Sequence, residues 1–496
     1  MTLRQPDHEV VVIGAGFSGI GAGIKLRQAG FDDFLILERA NDLGGTWRDN
    51  TYPGIAVDIS SFTYSYSFEQ NPDWSRVFAP GHEIKAYADH CADKYRIRER
   101  IQFDTTVLRA TFDEDTELWS LETSRGTIVA RYLVSACGGL TQPKRPDIPG
   151  IETFAGKMMH SARWDHDHDL SGERVAVIGT GATAVQLVPS IAPTVGRLEV
   201  FQRTPIWILP KPDRAIPGWV SELFRRVPAA QTSARLVTNA ITEIVMVLGV
   251  VYNRQTPGLV RRIERLCREH LEAQVEAPRL REALSPDYGF GCKRPSFSNE
   301  YYPTFNAEHV DLVTSPIERF THDGIVTADG EHHRFDTIVL ATGFKVLEIG
   351  NTPPFEVYGR GGQELGHYWH EQRYQAYEGA TVPGYPNLFL ILGPYSTTGA
   401  SWFRMVEAQT THLVRCLKEA RRRRARCIEV RREAHDDFFA EVQRRQRNTV
   451  FFNNGCGNAN SYYFDHHGDA PFIRPSSGLE FWWRSRHFPL SDYRFA

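Results

Sequence analysis

Two short stretches constrain this chain more than anything else in it: GAGFSG at 14–19 and GTGATA at 179–184. Each follows a β-branched apolar run (VVVIG, VAVIG) and opens a segment with helical periodicity. Glycines at those places permit a tight turn, close approach of a pyrophosphate and close packing of helix on sheet, with the helix N-terminus facing the phosphates. The strand–turn–helix unit recurs, from Glu9 to about Gln28 and from Arg174 to about Pro189, which is the pattern of a doubly wound α/β sheet built twice. The predicted fold is therefore α/β, with two Rossmann-like dinucleotide-binding domains.

What each site holds is set by the residue that ends the next strand. Glu38, 24 residues after Gly14, closes FLILE and suits a ribose diol while repelling a 2′-phosphate. Counting 24 residues from Gly179 reaches Arg203, followed by Thr204, at the end of LEVFQR. A guanidinium there favours a 2′-phosphate, hence NADP(H) over NAD(H). GGTW, with Gly45, Thr46 and Trp47, follows Glu38 closely and suits an isoalloxazine, so FAD is expected at the first site and NADPH at the second. The expected contacts are Gly14, Gly16, Phe17, Ser18 and Gly19 at the first turn, and Gly179, Thr180, Gly181, Ala182 and Thr183 at the second.

The rest of the chain adds boundaries. A Pro/Gly-rich stretch at 138–150 reads as a linker. From about Pro212 to Pro286 the pattern turns helical, with Ile263, Leu266, Cys267, Leu271 and Val275 on one face. Strand-like runs return at 333–342 and 386–393, and a helix is expected over about 403–426, its basic end (ARRRRAR) a solvated helix terminus. The apolar run at 240–252 is too short to span a bilayer and reads as a buried or groove-lining helix. The expected division is 1–145 and 383–496 for the FAD-binding domain, 150–210 and 289–382 for the NADP-binding domain, and 211–288 for a helical insertion. A net charge of −3 points to neither nucleic acid nor an anionic surface. Seven dispersed cysteines without a CxxC pair predict reduced thiols in a cytosolic protein, and EVVVIGAG starts a strand too early for a signal peptide.

Taken together, GAGFSG, GGTWRDNTYPGIAVD, FAGKMMHSARWD, GTGATA and FDTIVLATGF resemble the type I Baeyer–Villiger monooxygenases of the class B flavoprotein monooxygenases, over about residues 8 to 400. Phe154, Gly156, His160, Trp164 and Asp165 match that family's fingerprint. The resemblance implies an NADPH- and O2-dependent enzyme that converts a ketone to an ester or lactone through a flavin C4a-peroxide. It makes Arg294, in GCKRPSF, the active-site arginine, Asp58 the acid that orients it, and Lys293 a partner of Arg203 and Thr204 at the 2′-phosphate. A permanent cation suits the anions of this reaction. Tyr52, Tyr64, Val107 and Gly343 are implied cofactor contacts, and the fingerprint residues are implied to couple domain movement to cofactor position. Trp402 is a candidate substrate or cofactor contact, and Asp336 is expected to shape a crossover.

Other readings predict different residues. Oxygenation of sulfur or nitrogen needs no anion stabiliser, and a flavin disulfide reductase needs a redox cysteine pair that the spacing lacks. His160, His166 and His168 lack the spacing and further ligands of a metal site, so none is expected. The expected partners are a small ketone and O2, with no nucleic acid and no stable membrane insertion.

Overall fold

A computed structural model describes residues 5–399 and 401–496. Each glycine turn sits in its own sheet. In the first, the parallel strands Ile101–Gln102, Phe34–Leu37, His8–Ile13 and Gly126–Ser135 lie in that order. Gly126–Ser135 is long enough to serve two partners along one edge: its first half pairs antiparallel with Leu118–Thr123 and its end pairs parallel with Leu388–Leu390. Val107–Asp113 extends that antiparallel meander, and Glu356–Tyr358 closes the edge. Residues near 388 thus return to the first sheet after a long excursion.

The second sheet is wholly parallel, in the order Val310–Val313, Arg197–Phe201, Arg174–Ile178, Thr337–Leu340, Lys157–His160. Its central strands are buried on both faces, which is why they read as unbroken apolar runs. The stretch at 333–342 is not one strand. His332–Arg334 belongs to a separate three-stranded sheet, Thr337–Leu340 to this one, and Asp336 sits at the break.

The insertion is helical, as the periodicity predicts: Gly218–Arg226, Pro228–Met246 running on as a wider turn to Val251, Pro257–Gln274 and Pro278–Leu284. Two expectations there fail. Leu266 is exposed, while Val260, Cys267 and Leu271 face inward. The apolar run at 240–252 is the end of a helix that is neither short nor buried: Pro228–Val251 is long and apolar enough to cross a bilayer by length and composition, and most of its large side chains face outward. The pattern located a stripe but not the side on which the protein lies.

The late helix spans Trp402–Arg423 and ends at Arg424 in the left-handed region. Its arginines are used: Arg421 bonds to Gly30 O and Glu9, while Arg422 and Arg423 pair with Glu419.

Candidate active site

The first glycine turn leaves no room for a side chain at Gly14 or Gly19. Gly14 has φ +102°, and a Cβ there would lie 2.9 Å from Ala136 O; one at Gly19 would lie 1.8 Å from Gly14 O. A Cβ at Gly45 would sit 3.1 Å from the Gly16 Cα, so the GGTW turn is pressed against the glycine turn. The helix Phe17–Gln28 starts behind Gly16 without a side-chain cap, leaving its N–H groups and positive dipole end for an anion. Phe17 and Ser18 are buried.

Glu38 is buried, and its carboxylate is aimed by three donors: Ala15 N at 2.8 Å on Oε2, and Ala40 N at 3.0 Å and Arg48 Nη1 at 2.9 Å on Oε1. Arg48 also pairs with Asp49. Sequence reasoning passed over Arg48; its place directly after the quoted GGTW was the available signal. Val107 packs with Ile13 and Leu37 beside this strand end.

The second turn repeats the first. Gly179 has φ +113°, with a Cβ blocked by Ala341 O at 2.5 Å, and its N–H donates to Phe201 O as that of Gly14 does to Leu37 O. Ala184 replaces the third glycine and is fully buried. The helix Ala182–Ile191 has no side-chain cap at Gly181, where a Cβ would meet open space. Thr180 Oγ1 donates to Thr204 O at 2.8 Å, tying the turn to the end of the neighbouring strand.

Beyond that end stand two cations. Arg203 is exposed; Lys293 is half-buried, and desolvation together with Arg203 pushes its ammonium down to about 8. Neither has an ion-pair partner among the described residues. Two like charges held together without a counterion make a site that an anion would complete. Asn460, from the tail, donates to Thr204 Oγ1 at 3.0 Å on the same rim. Both turns therefore fit dinucleotides, the first with a carboxylate at the ribose end and the second with a cationic pair.

Between the turns lies the segment after GGTW. Tyr52 Oη donates to Gln186 Oε1 at 2.9 Å, and Gln186 Nε2 donates to Ala56 O at 3.0 Å, so the second unit's first helix grips the first unit's loop. The Tyr52 phenol also faces Thr183, and burial pushes it up to about 12, well protonated at neutral pH. Gly54 has φ +83°, and a Cβ there would lie 2.1 Å from Ser190 Oγ and 2.6 Å from Gln186 O. Thr46 opens the short helix Thr46–Asp49, and Trp47 Nε1 donates to Tyr64 Oη at 3.0 Å, their rings edge-to-face.

Asp58 follows this loop. Its Oδ2 accepts from Arg294 Nε at 2.8 Å and Nη2 at 2.6 Å. The Asp58 carboxylate holds the guanidinium's pKa well above its usual range, countering burial, so Arg294 is cationic at any working pH. Tyr64, Tyr462 and Tyr463 lie within electrostatic range of this pair. The Arg294 side chain remains 43% exposed, so one edge is fixed by Asp58 and the remainder opens toward solvent.

The histidine fingerprint is a brace. His160 ends the edge strand of the second sheet; its Nδ1 accepts from Ala162 N, leaving Nε2–H to donate to Gly343 O at 3.1 Å. Gly343 O also accepts from Lys144 N in the linker. Burial pushes the imidazole's pKa down, favouring this neutral tautomer. A Cβ on Gly156 would meet Asp336 O at 2.5 Å and the Phe154 ring at 2.5 Å, which explains the glycine. Asp165 pairs with Lys157, and Trp164 packs with Ile55 on the second core. Asp336 accepts from Arg174 N and its guanidinium, joining the starts of two adjacent strands. His166 bonds to Thr51 and His168 to Thr337, and no group of three potential metal ligands gathers among the described residues. Trp402 lines an apolar recess with Leu392, Pro394 and Phe472.

One expectation is overturned here. Cys292 and Cys456 form a disulfide with Cα atoms 5.1 Å apart, across 164 residues of sequence. Spacing gave no sign of it because only the folded chain brings the tail beside the Lys293–Arg294 loop. The five other cysteines are free. Asn454 reinforces the junction by donating to Phe290 O at 3.0 Å.

Comparison with known proteins agrees with this geometry. The family model for pyridine nucleotide-disulphide oxidoreductases matches residues 11–258. A Baeyer–Villiger monooxygenase of Streptomyces coelicolor is 41% identical, covering all of this chain and 94% of that protein. One of Pseudomonas aeruginosa is 40% identical, covering 98% and 91%. Among solved structures, OTEMO in complex with FAD and NADP is 26% identical with a TM-score of 0.86, covering 99% of this chain and all of that one. With two dinucleotide turns, the histidine brace and full-length relatives, the chain belongs to the Baeyer–Villiger monooxygenase family.

Proposed function

We propose that this enzyme inserts one oxygen atom of O2 beside the carbonyl of a small ketone, at the expense of NADPH, giving an ester or lactone. FAD is assigned to the first turn, on Gly14, Gly16, Gly19 and Glu38, and NADPH to the second, on Gly179, Gly181, Arg203, Thr204 and Lys293. The two separate sheets support the expected division into an FAD-binding domain (1–145 and 383–496) and an NADP-binding domain (150–210 and 289–382) with its insertion at 211–288. Bound FAD, once reduced by NADPH, supplies the electrons that activate O2.

The residues' own work follows from their charges. Arg294 stabilises negative charge that develops on the substrate's carbonyl oxygen, and it does so without transferring a proton. Asp58 holds the guanidinium edge-on, fixing its direction and balancing its charge. Trp47, Tyr52 and Tyr64 wall the flavin side, all as neutral groups. Phe154, Gly156, His160, Trp164 and Asp165 transmit the position of the linker and second sheet to Gly343, and take no proton from the substrate.

The observation that carries this reading is the Arg294–Asp58 pair beside the aromatic wall. Sulfur or nitrogen oxygenation has no use for a fixed cation there. The disulfide-reductase reading fares no better, since Cys292–Cys456 joins the Lys293 loop to the tail and not the turn beside Trp47. The test is a product screen with NADPH and air against linear, cyclic and aryl ketones and one thioether. Esters or lactones are expected; a sulfoxide as the only product overturns the reading.

A further inference from the structure

The helix Pro228–Met246 and its continuation to Val251 are amphipathic with the usual sense reversed. Leu236, Val237, Ile241, Ile244, Val245 and Leu248 recur at helical spacing on the outer face and are 38–62% exposed. The segment's two charges point the other way and are already used. Arg235 donates to Ser65 Oγ at 2.9 Å and Ser65 O at 2.8 Å, and Glu243 accepts from the N–H groups of Gly478 and Leu479. Gln231 Nε2 likewise donates to Asn71 O at 2.7 Å. Glu243 ties this segment to the start of the helix Gly478–His487, where Leu479, Trp482 and Trp483 are exposed; Trp219 and Leu223 are exposed on Gly218–Arg226, the helix just before Pro228 in the chain. An exposed apolar stripe of this kind marks an interaction surface.

Charge identifies what it meets. Thr256 Oγ1 donates to Leu248 O and so joins the end of the stripe to the start of the helix Pro257–Gln274. Arg254, Arg261, Arg262 and Arg265 are exposed there and form no ion pair among the described residues. The single acid between Arg254 and Arg268 is Glu264, which is turned inward to accept from Phe290 N at 2.8 Å. A basic cluster beside an outward apolar helix with tryptophans on neighbouring elements matches an anionic lipid surface: arginines reach phosphates, aliphatic side chains enter the headgroup–acyl boundary, and indoles sit at the interface.

We propose that this face docks the enzyme onto an anionic phospholipid bilayer, with the helix Pro228–Val251 lying in the interface plane. It cannot cross the bilayer while docked, because Gln231, Arg235 and Glu243 fasten its inner side to the body of the protein.

The test uses the FAD-loaded full chain and two vesicle preparations, phosphatidylcholine alone and phosphatidylcholine with phosphatidylglycerol. At low salt the enzyme is expected to sediment with the anionic vesicles and far less with neutral ones. Leu236→Glu with Ile241→Glu, and separately Arg261→Glu with Arg262→Glu, are each expected to lower partitioning at least ~10-fold. NADPH oxidation in solution should be unchanged in both, which also reports that they are folded. Failure of the wild-type enzyme to sediment with anionic vesicles overturns the proposal without any variant. So does partitioning by both double variants that equals that of the wild type. A concentration-dependent dimer in sedimentation velocity, abolished by Leu236→Glu with Ile241→Glu and accompanied by no vesicle binding, would assign the face to a second copy of the chain instead.

Discussion

Removing the unpaired cations Arg203 and Lys293 should change which nicotinamide cofactor the enzyme accepts. A hydrogen bond to a charged partner contributes ~1.5–3 kcal/mol, and half-buried Lys293 belongs in that range. Arg203 is exposed, so solvent screening reduces its share to ~0.5–1 kcal/mol. Together Arg203→Ala and Lys293→Ala should weaken NADPH by ~2–4 kcal/mol, or about 30- to 900-fold, and NADH by less than about 2-fold. Lys293 adds a pH signature. Its ammonium titrates at about 8 in the free enzyme, because burial and Arg203 disfavour the charge. A 2′-phosphate is dianionic there, so it draws the proton onto Lys293 when it binds. NADPH affinity is therefore full below about pH 8 and falls as pH rises above it, by up to ~10-fold per unit, while NADH affinity stays flat. Lys293→Arg should abolish that slope, since a guanidinium keeps its proton. Stopped-flow flavin reduction against NADPH and NADH concentration gives both dissociation constants. Equal losses for the two cofactors, or a pH slope that survives Lys293→Arg, would refute the phosphate assignment.

Two further outcomes concern the scaffold. Gly156→Ala drives a methyl group into Asp336 O and the Phe154 ring, and should cost ~1–3 kcal/mol, read as a lowered Tm by flavin fluorescence. Cys456→Ser opens a cross-link spanning 164 residues and should cost ~2–4 kcal/mol. Reductant should lower the Tm of the wild type by a similar amount and leave the variant unmoved; an unmoved wild type would mean that the link does not hold the tail.

How much of this was legible beforehand follows from what each signal depends on. Gly14, Gly179, Glu38 and Arg203 were readable because a turn, a strand and a fixed count of residues are local properties of the chain. Arg294 and Asp58, 236 residues apart, were paired only by resemblance; the hydrogen bonds supply the physical reason. Cys292 and Cys456 were out of reach because folding alone brings the tail to the second site. The role of His160 depended on a neighbour, Gly343 O, that belongs to another strand. The helix at 228–251 is the instructive failure. Composition marked an apolar run at 240–252, but an apolar run is assumed to face inward, and here Arg235 and Glu243 found partners on the inner side.

The most direct measurement is the fate of electrons in Arg294→Ala. Single-turnover kinetics should show flavin reduction by NADPH within about 3-fold of the wild type, while ester formation from a ketone accepted by the wild type falls at least ~100-fold and the O2 consumed appears as hydrogen peroxide. An Arg294→Ala enzyme that still forms ester at the wild-type rate would contradict the assignment of Arg294 and, with it, the mechanism.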